Sequence, residues 1–126
     1  MNSEAYEKGM ATRLKVMGDK HVAKRQKSDD QFTRRQQQFV TEFAWGTIWS
    51  RPQLPLKTRS LITLAMITAL NRPDELGGHI RGALNNGATK EEIMEVFHHA
   101  SVYCGMPAAN GSVRAGVEVF RELGLI

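Results

Sequence analysis

The 126-residue sequence is poor in the residues that build cross-linked or membrane-embedded proteins. Its one cysteine, Cys104, excludes a disulfide within the chain and any zinc site made of several cysteines. Only four prolines and a charged fraction of 24% are typical of a folded chain rather than a disordered one. The longest apolar run, LITLAMITAL at residues 61–70, is far shorter than the roughly 18 residues that a membrane span needs.

These absences favour a cytoplasmic protein with one core. A lone cysteine is typical of a reducing compartment, and the polar start MNSEAYEKGM contains no apolar stretch of a signal peptide. The length predicts a single domain over residues 1–126. The net charge is +4, but basic and acidic residues alternate along the chain. We therefore expect a small anionic ligand, and neither nucleic acid nor a membrane as a partner.

Apolar residues recur at helical spacing, and no segment alternates with the period of two that is typical of a strand. The pattern predicts an all-α fold of about six helices, at residues 2–18, 29–50, 57–71, 74–85, 89–104 and from 107 onward. The stretch 18–30 lacks apolar periodicity and is predicted to be a connection. Predicted N-caps are Ser28, Asp74 and Thr89, the last with Glu92 in a capping box. Glycines 87 and 105 are predicted to end helices.

Two of these helices are more apolar than a small monomer needs. In helix 57–71 apolar residues cover nearly the whole circumference, so we expect it at the centre of the protein or of an oligomer. In helix 29–50, Phe32, Phe39 and Phe43 belong to the predicted buried stripe. Trp45 and Trp49 lie next to that stripe, and we expect them to be core residues or subunit contacts. The apolar surplus predicts a homo-oligomer.

Three polar residues are candidates for a site that binds an anion. Arg59 lies in the first turn of helix 57–71, where its guanidinium either holds a carboxylate with paired hydrogen bonds or extends into solvent. Glu75 and His79 are four residues apart and project from one face of helix 74–85. Such a pair is either an ordinary surface contact or a carboxylate that orients an imidazole for proton transfer. The spacing alone does not choose between them.

The remaining histidines and the cysteine are weaker candidates. His98 and His99 are adjacent on a helix, so they point about 100° apart and at most one serves a given site. His99 follows Glu95 by four residues, and a surface ion pair explains this spacing as well as catalysis does. Cys104 falls on an apolar stripe, where a small buried side chain is its expected role. No compact set of three or four metal ligands is present, so we expect no metal site.

Three stretches carry a family resemblance. They are FVTEFAWGTIWSRPQL, RSLITLAMITALNR and DELGGHIRGALNNGATKEEIMEVFHHASVYCGMPAAN. Through them the sequence resembles the 4-carboxymuconolactone decarboxylases of protocatechuate breakdown. The resemblance implies the all-α fold of the alkyl-hydroperoxidase D-like (AhpD-like) superfamily and a homo-oligomer, either a trimer or a hexamer.

The resemblance also implies a reaction. Its substrate is a five-membered unsaturated lactone with two carboxylates, which loses carbon dioxide to give the 3-oxoadipate enol-lactone. The electrons released by the departing carboxylate pass through the double bond to the lactone carbonyl. The substrate is thus its own electron sink, and no cofactor is expected. The protein has to hold a dianion, stabilise the dienolate oxygen and protonate carbon.

The resemblance implies roles for residues at matching positions. Arg59, in TRSLITLA, is the residue that binds a carboxylate or the enolate. His79, in the ExxxH motif, is the proton donor, since a histidine with an unperturbed pKa of about 6.5 exists in both forms near neutrality. Glu75 orients the imidazole and stabilises its charged form. His99 and Cys104 are secondary candidates for substrate binding.

At one place the sequence departs from the family pattern. Gly77 and Gly78 stand between Glu75 and His79, where family members usually carry bulkier residues, and they would enlarge a pocket beside the imidazole. An enzyme of the same fold that acts on a different carboxylated substrate is therefore an alternative. A thiol peroxidase of the same superfamily is a weaker one, because those enzymes use a Cys-x-x-Cys pair and this chain has only Cys104.

Overall fold

The computed structural model describes residues 2–126, and every regular element in that range is a helix. The α-helices are α1 (Glu4–Met17), α2 (Asp19–Gln26), α3 (Gln31–Phe39), α4 (Leu56–Leu70), α5 (Pro73–Asn85), α6 (Lys90–Tyr103) and α7 (Met106–Glu122). A π-helix, Val40–Trp49, continues directly from α3. The predicted all-α class is confirmed. Within residues 2–126 no helix is both long and apolar enough to cross a lipid bilayer.

The chain forms two compact units, one up to Leu56 and the other from Lys57. The first has a small core of Val16, Met17, Val22 and Trp45, and Trp49 stacks on Trp45 with 4.6 Å between ring centroids. The second has a larger core, made of Leu64, Leu76, Ile80, Ala83, Ala88, Ile93, Phe97, Val119 and Phe120. The single domain expected over residues 1–126 stays a prediction.

The ends of α5 and α6 show which predicted boundaries hold. Thr89 and Glu92 form the predicted capping box of α6, with the Glu92 amide donating to Thr89 Oγ1 at 3.0 Å. Gly87 and Gly105 have the positive φ angles, 91° and 96°, that suit glycine after a helix. The predicted N-cap Asp74 is wrong, because Arg72 is the N-cap and Asp74 lies inside the first turn of a helix that begins at Pro73, where proline fits.

The stretch 18–30 corrects two predictions. It contains α2, because Gly18, with φ of 87°, turns the chain directly from α1 into a second short helix. Val22 is the one buried residue of α2, which explains why apolar periodicity gave no sign of it. Asp30, rather than Ser28, caps α3, since the Thr33 amide donates to the Asp30 carboxylate at 2.6 Å. The Ser28 hydroxyl donates instead to Asp30 at 2.8 Å.

The π-helix packs against α1 through two buried glycines. A Cβ added to Gly9 would lie 2.7 Å from the Gly46 nitrogen and would collide with the carbonyl oxygen of Thr41. A Cβ added to Gly46 would collide with the carbonyl oxygen of Ala5. Because neither glycine has a side chain, the two helix backbones can come into direct contact.

α1 also buries a cation beside this contact with the π-helix. Arg13 is 4% exposed, and its guanidinium donates to Thr41 Oγ1 at 3.1 Å and to Gln37 Oε1 at 2.8 Å. Burial, followed by the charge of Arg25, lowers the pKa of Arg13. Both acceptors are uncharged, so these hydrogen bonds offset part of the cost of removing a charge from water.

The phenylalanines predicted to be buried are exposed. Phe32, Phe39 and Phe43 are 77%, 51% and 67% exposed, and α3 has no buried residue. The prediction is right for Trp45, which is buried in the core of the first unit. Helical periodicity shows that apolar side chains share a face, but it does not show whether the chain has anything to cover that face.

α4 also buries fewer apolar residues than expected. Its buried residues are Ser60, Leu64 and Thr68, and the Thr68 hydroxyl shares a 2.7 Å hydrogen bond with that of Ser112 on α7. Met66 is exposed. The helix therefore turns one side to the core of the second unit and leaves another side uncovered.

We expect Gly46→Ala to lower the free energy of unfolding by about 1–3 kcal/mol or more, because the added methyl group would overlap the Ala5 carbonyl. Chemical denaturation followed by circular dichroism measures the change. Gly77→Ala on α5 is the matched control, because the nearest atom to its added methyl group is Arg81 Nη1 at 3.6 Å. The control should be neutral or stabilising through helix propensity. A Gly46→Ala protein as stable as wild type would contradict the close contact.

The Asp30 cap should make stability depend on pH in the acid range. The backbone hydrogen bond from Thr33 and then the side chain of Ser28 lower the pKa of Asp30 to about 2. The lowered pKa means that the cap stabilises the fold above about pH 4 and loses this effect as the pH falls towards 2. Asp30→Asn keeps a capping oxygen but does not titrate. In urea denaturation the stability difference between wild type and Asp30→Asn should shift between pH 4 and pH 2, and a constant difference would refute this.

Candidate active site

A side-chain hydrogen bond links α4 and α5 at one end. These two helices carry the main predicted site residues. Arg59, in the first turn of α4, is half-buried, and Ser60 after it is 1% exposed. The side-chain amide of Asn86 donates to Ser60 Oγ at 2.9 Å. Asn86 is the C-cap of α5 and follows His79 by seven residues, so the two share one face of that helix. The face of α5 that carries His79 thus ends against the turn of α4 that carries Arg59.

Glu75 and His79 lie one turn apart near the start of α5. Glu75 is exposed in the first helical turn, where the helix dipole favours a carboxylate. His79 is half-buried, while Leu76 and Ile80 beside it are buried in the core of the second unit. These two core side chains fix the rotation of α5 and hold the imidazole at the edge of the core, where it can exchange protons. That His79, Glu75 and Arg59 act together stays a prediction.

The secondary candidates, His99 and Cys104, line a groove of about 650 Å³ between α4 and α6. We call this cavity the α4–α6 groove. Its α4 wall consists of Leu61, Ile62 and Ala65, and its α6 wall of Glu92, Glu95, Val96, His99, Ala100, Tyr103 and Cys104. Arg59, Glu75 and His79 are not among the residues that line it. The five predicted site residues therefore do not share this cavity.

Three side chains of α6 differ from their predicted surroundings or partners. Cys104 is exposed as the C-cap of the helix, so its predicted burial is wrong. Glu95 has His98 as its neighbour, with 3.8 Å between the carboxylate and Nδ1. His99 instead packs on Tyr103, with 5.2 Å between ring centroids. Of the two adjacent histidines, His99 is the one that lines the groove.

Tyr103 also lines the groove and is not among the predicted site residues. Glu95, His99 and Tyr103 follow one another at intervals of four residues and so lie along one side of α6. This spacing is the signal that identifies Tyr103 as a neighbour of His99. The buried side of α6, marked by Ile93 and Phe97, gives the stronger periodic signal.

The α4–α6 groove is mostly apolar and contains two carboxylates, one of which is paired with a lysine. Lys57 Nζ lies 2.8 Å from the Glu92 carboxylate. The hydrogen bond from Lys57, followed by that from the Thr89 amide, lowers the pKa of Glu92. Glu92 is therefore ionised at neutral pH, and Glu95 adds a second carboxylate. None of the described groove residues is itself a lysine or an arginine, and Lys57 already pairs with Glu92, so the groove lining has no cation of its own for a dianion, whereas the start of α4 carries Arg59.

The polar groups around the start of α4 and on α5 are a guanidinium, an imidazole and a carboxylate. A guanidinium can bind a carboxylate or stabilise an enolate oxygen, and an imidazole oriented by a carboxylate can transfer a proton. Within residues 2–126, no three histidine, cysteine, aspartate or glutamate side chains lie close enough together to hold a metal ion.

Comparisons with known proteins give these residues a context. Residues 36–118, more than half of the chain, match the Carboxymuconolactone decarboxylase family. The chain is 45% identical over 126 residues to the 4-carboxymuconolactone decarboxylase of Acinetobacter baylyi, covering 99% of this chain and 94% of that protein. It is 44% identical over 108 residues to the nitrosuccinic acid decarboxylase npaB of Metarhizium robertsii, covering 86% and 76%. All five predicted site residues lie within the range that matches the family.

The contact between Asn86 and Ser60 can be tested by a double-mutant cycle. We expect Asn86→Ala and Ser60→Ala each to destabilise the protein, and the double variant to lose less than the sum of the two. The coupling should be about 0.5–1.5 kcal/mol, as for a typical hydrogen bond. Urea denaturation of the four proteins measures it. Strictly additive effects would show that the two side chains do not interact.

Proposed function

This chain belongs to the carboxymuconolactone decarboxylase family, and we propose that it is a carboxy-lyase that converts 4-carboxymuconolactone into the 3-oxoadipate enol-lactone and carbon dioxide. The observation that carries the proposal is the 45% identity to the Acinetobacter baylyi enzyme of that name over nearly the full length of both chains. In this proposal the enzyme works in the cytoplasm, in the breakdown of protocatechuate.

In this reaction the substrate itself stabilises the electron pair that decarboxylation leaves behind. Cleavage of the bond between the ring and the departing carboxylate releases carbon dioxide and leaves an electron pair, which the conjugated lactone carbonyl accepts as a dienolate. A proton added to carbon then gives the enol-lactone. Because the ring provides the electron sink, the reaction needs no cofactor, and the protein contributes charge stabilisation and a proton.

Arg59, His79 and Glu75 are the residues to which we assign these tasks. The Arg59 guanidinium binds a carboxylate of the dianion or the developing enolate oxygen, where a preorganised donor stabilises the transition state by about 2.7–4 kcal/mol. The His79 imidazole delivers the proton to carbon. Glu75, one turn before it, holds the imidazole in position and stabilises its protonated form.

We leave His99 and Cys104 outside this mechanism. Both line the α4–α6 groove, which is mostly apolar and has no lysine or arginine in its lining to bind a substrate with two carboxylates. The half-buried guanidinium of Arg59 is on α4 but does not line that groove. Electrostatics therefore favours the α4–α5 region for the dianion.

A second candidate function is decarboxylation of nitrosuccinic acid. It is favoured by the 44% identity to the decarboxylase of that name from Metarhizium robertsii. Nitrosuccinic acid also carries two carboxylates, and its nitro group can accept the electron pair of the broken bond as a nitronate. The demands on the protein are the same, namely a cation for a dianion and a proton for carbon. The space at Gly77 and Gly78, beside His79, is where we expect the choice between a ring and an open-chain substrate to be made.

An activity assay of the purified protein with each substrate distinguishes the two functions. We expect carbon dioxide release from 4-carboxymuconolactone, with a kcat/KM above that for nitrosuccinic acid. His79→Ala should lower kcat by about 10²–10⁴-fold through loss of the proton donor. Arg59→Ala should lower kcat/KM by about 10²–10³-fold through loss of charge stabilisation.

His98→Ala is the matched control, since it removes an exposed histidine of α6 that does not line the groove. It should retain wild-type turnover. Equal activity of His79→Ala and wild type would refute the assigned mechanism. Turnover of nitrosuccinic acid alone would select the second candidate, and a wild-type protein inert towards both would refute both functions.

A further inference from the structure

The first unit has a cavity of its own. Its volume is about 350 Å³, which is in the range of pockets that bind small molecules. We call it the Arg51 cleft. Its lining comes from α1, from the end of the π-helix and from the segment up to the start of α4, and consists of Thr12, Lys15, Trp49, Ser50, Arg51, Pro52, Leu54, Pro55 and Leu56.

One part of the Arg51 cleft is basic. Lys15 and Arg51 supply two cations, and Thr12 adds a hydroxyl group. Among residues 2–126, no aspartate or glutamate lines this cleft. Two cations that line one small cavity repel each other, and a bound anion relieves that repulsion. The charges of the lining therefore favour an anionic ligand.

The positive charge continues beyond the Arg51 cleft. A neighbouring cleft of about 470 Å³ shares three lining residues with it, among them Arg51. Lys8 lines this second cleft, and it precedes Lys15 by seven residues on the same side of α1. Glu4 is the acidic residue of the second cleft. Three cations thus outnumber one carboxylate around Arg51.

Another part of the Arg51 cleft is apolar, and an aromatic ring forms its wall. Trp49 stacks on Trp45 with 4.6 Å between ring centroids and 29° between ring planes. Trp45 is 5% exposed in the core of the first unit, so the stacking holds the Trp49 ring in place. Leu54, which is 39% exposed, and two prolines line the same cleft. A flat apolar group can pack on such a wall.

The segment that carries Arg51 is held in shape before any ligand binds. The Ser50 hydroxyl donates to the Gly46 carbonyl oxygen at 2.5 Å. The Arg51 amide donates to the Ile48 carbonyl oxygen at 3.1 Å. Pro52 follows directly, and its ring fixes one backbone angle. A preorganised site loses little free energy to ordering when a ligand binds.

We propose that the Arg51 cleft binds an aromatic carboxylate, with the carboxylate at Lys15 and Arg51 and the ring against Trp49. The two parts of the lining select this class together. An inorganic anion would leave the apolar wall in water, and a neutral aromatic molecule would not use the two cations. This binding site contains none of the residues that we assign to decarboxylation, and the proposal does not depend on that function.

Benzoate is the probe for this site, and its binding can be followed at Trp49. The chain has two tryptophans, so a nuclear magnetic resonance spectrum of the protein labelled with ¹⁵N shows two indole N–H signals, and Trp49→Phe assigns them. We expect benzoate to shift the Trp49 signal in a saturable way, and added salt to weaken binding by screening the cations. Benzamide, which lacks the charge, and inorganic phosphate, which lacks the ring, should each bind at least about tenfold more weakly.

Substitutions of the two cations test where benzoate binds. Lys15→Gln and Arg51→Gln should each weaken benzoate binding by about threefold, as expected for exposed charges, and the double variant by about tenfold. Lys24→Gln, at an exposed position on α2, is the matched control and should bind benzoate like wild type. Arg59→Ala should also leave the Trp49 shift unchanged, which distinguishes this site from the proposed substrate site. Circular dichroism with thermal melting verifies that each variant is folded.

Several outcomes would overturn the proposal. These are the absence of a saturable shift at Trp49, benzamide binding as tight as that of benzoate, and a double variant that binds benzoate like wild type. Phosphate binding as tight as that of benzoate would show a site for simple oxyanions and refute the role of the aromatic wall. Loss of the Trp49 shift in Arg59→Ala would show that benzoate acts from the proposed substrate site instead.

Discussion

The register between α4 and α5 is the constraint on which the proposed chemistry depends. The shared core around Leu64 and Ile80 sets how the two helices face each other, and the hydrogen bond from Asn86 to Ser60 fixes their ends. A guanidinium and an imidazole on separate helices can serve one substrate only while this register holds, since a displacement of about 1 Å can cost about 100-fold in rate. The core of the second unit therefore positions the residues of the proposed site, although it contributes no polar group to it.

α4 contributes residues to the core, to the proposed site and to the groove. Leu64 turns to the core, Arg59 supplies a cation at the start of the helix, and Ile62 belongs to the wall of the α4–α6 groove. Because Arg59 precedes Ile62 by three residues, the cation and the groove wall are neighbours on the surface of this helix.

The elements that could be predicted are those whose cause is local. The capping box of Thr89 and Glu92 lies within four consecutive residues, and Gly105 ends α6 because glycine readily adopts a positive φ angle. Both features could therefore be predicted from the sequence. α2 was not, because its single buried residue, Val22, leaves no period. The burial of Arg13 could not be foreseen either, since its acceptors, Gln37 and Thr41, lie more than twenty residues away.

The sequence by itself determined the all-α class, most helix ends and, through the family motifs, the residues to be considered for catalysis. These follow from backbone preferences and residue identities that act over a few positions. Only the tertiary structure decided that the phenylalanines of α3 are exposed, that Cys104 is not buried, and that His99 and Tyr103 line a groove that His79 does not line. Burial and the sharing of a cavity depend on which distant helices come together, and a local pattern of apolar and polar residues does not contain that information.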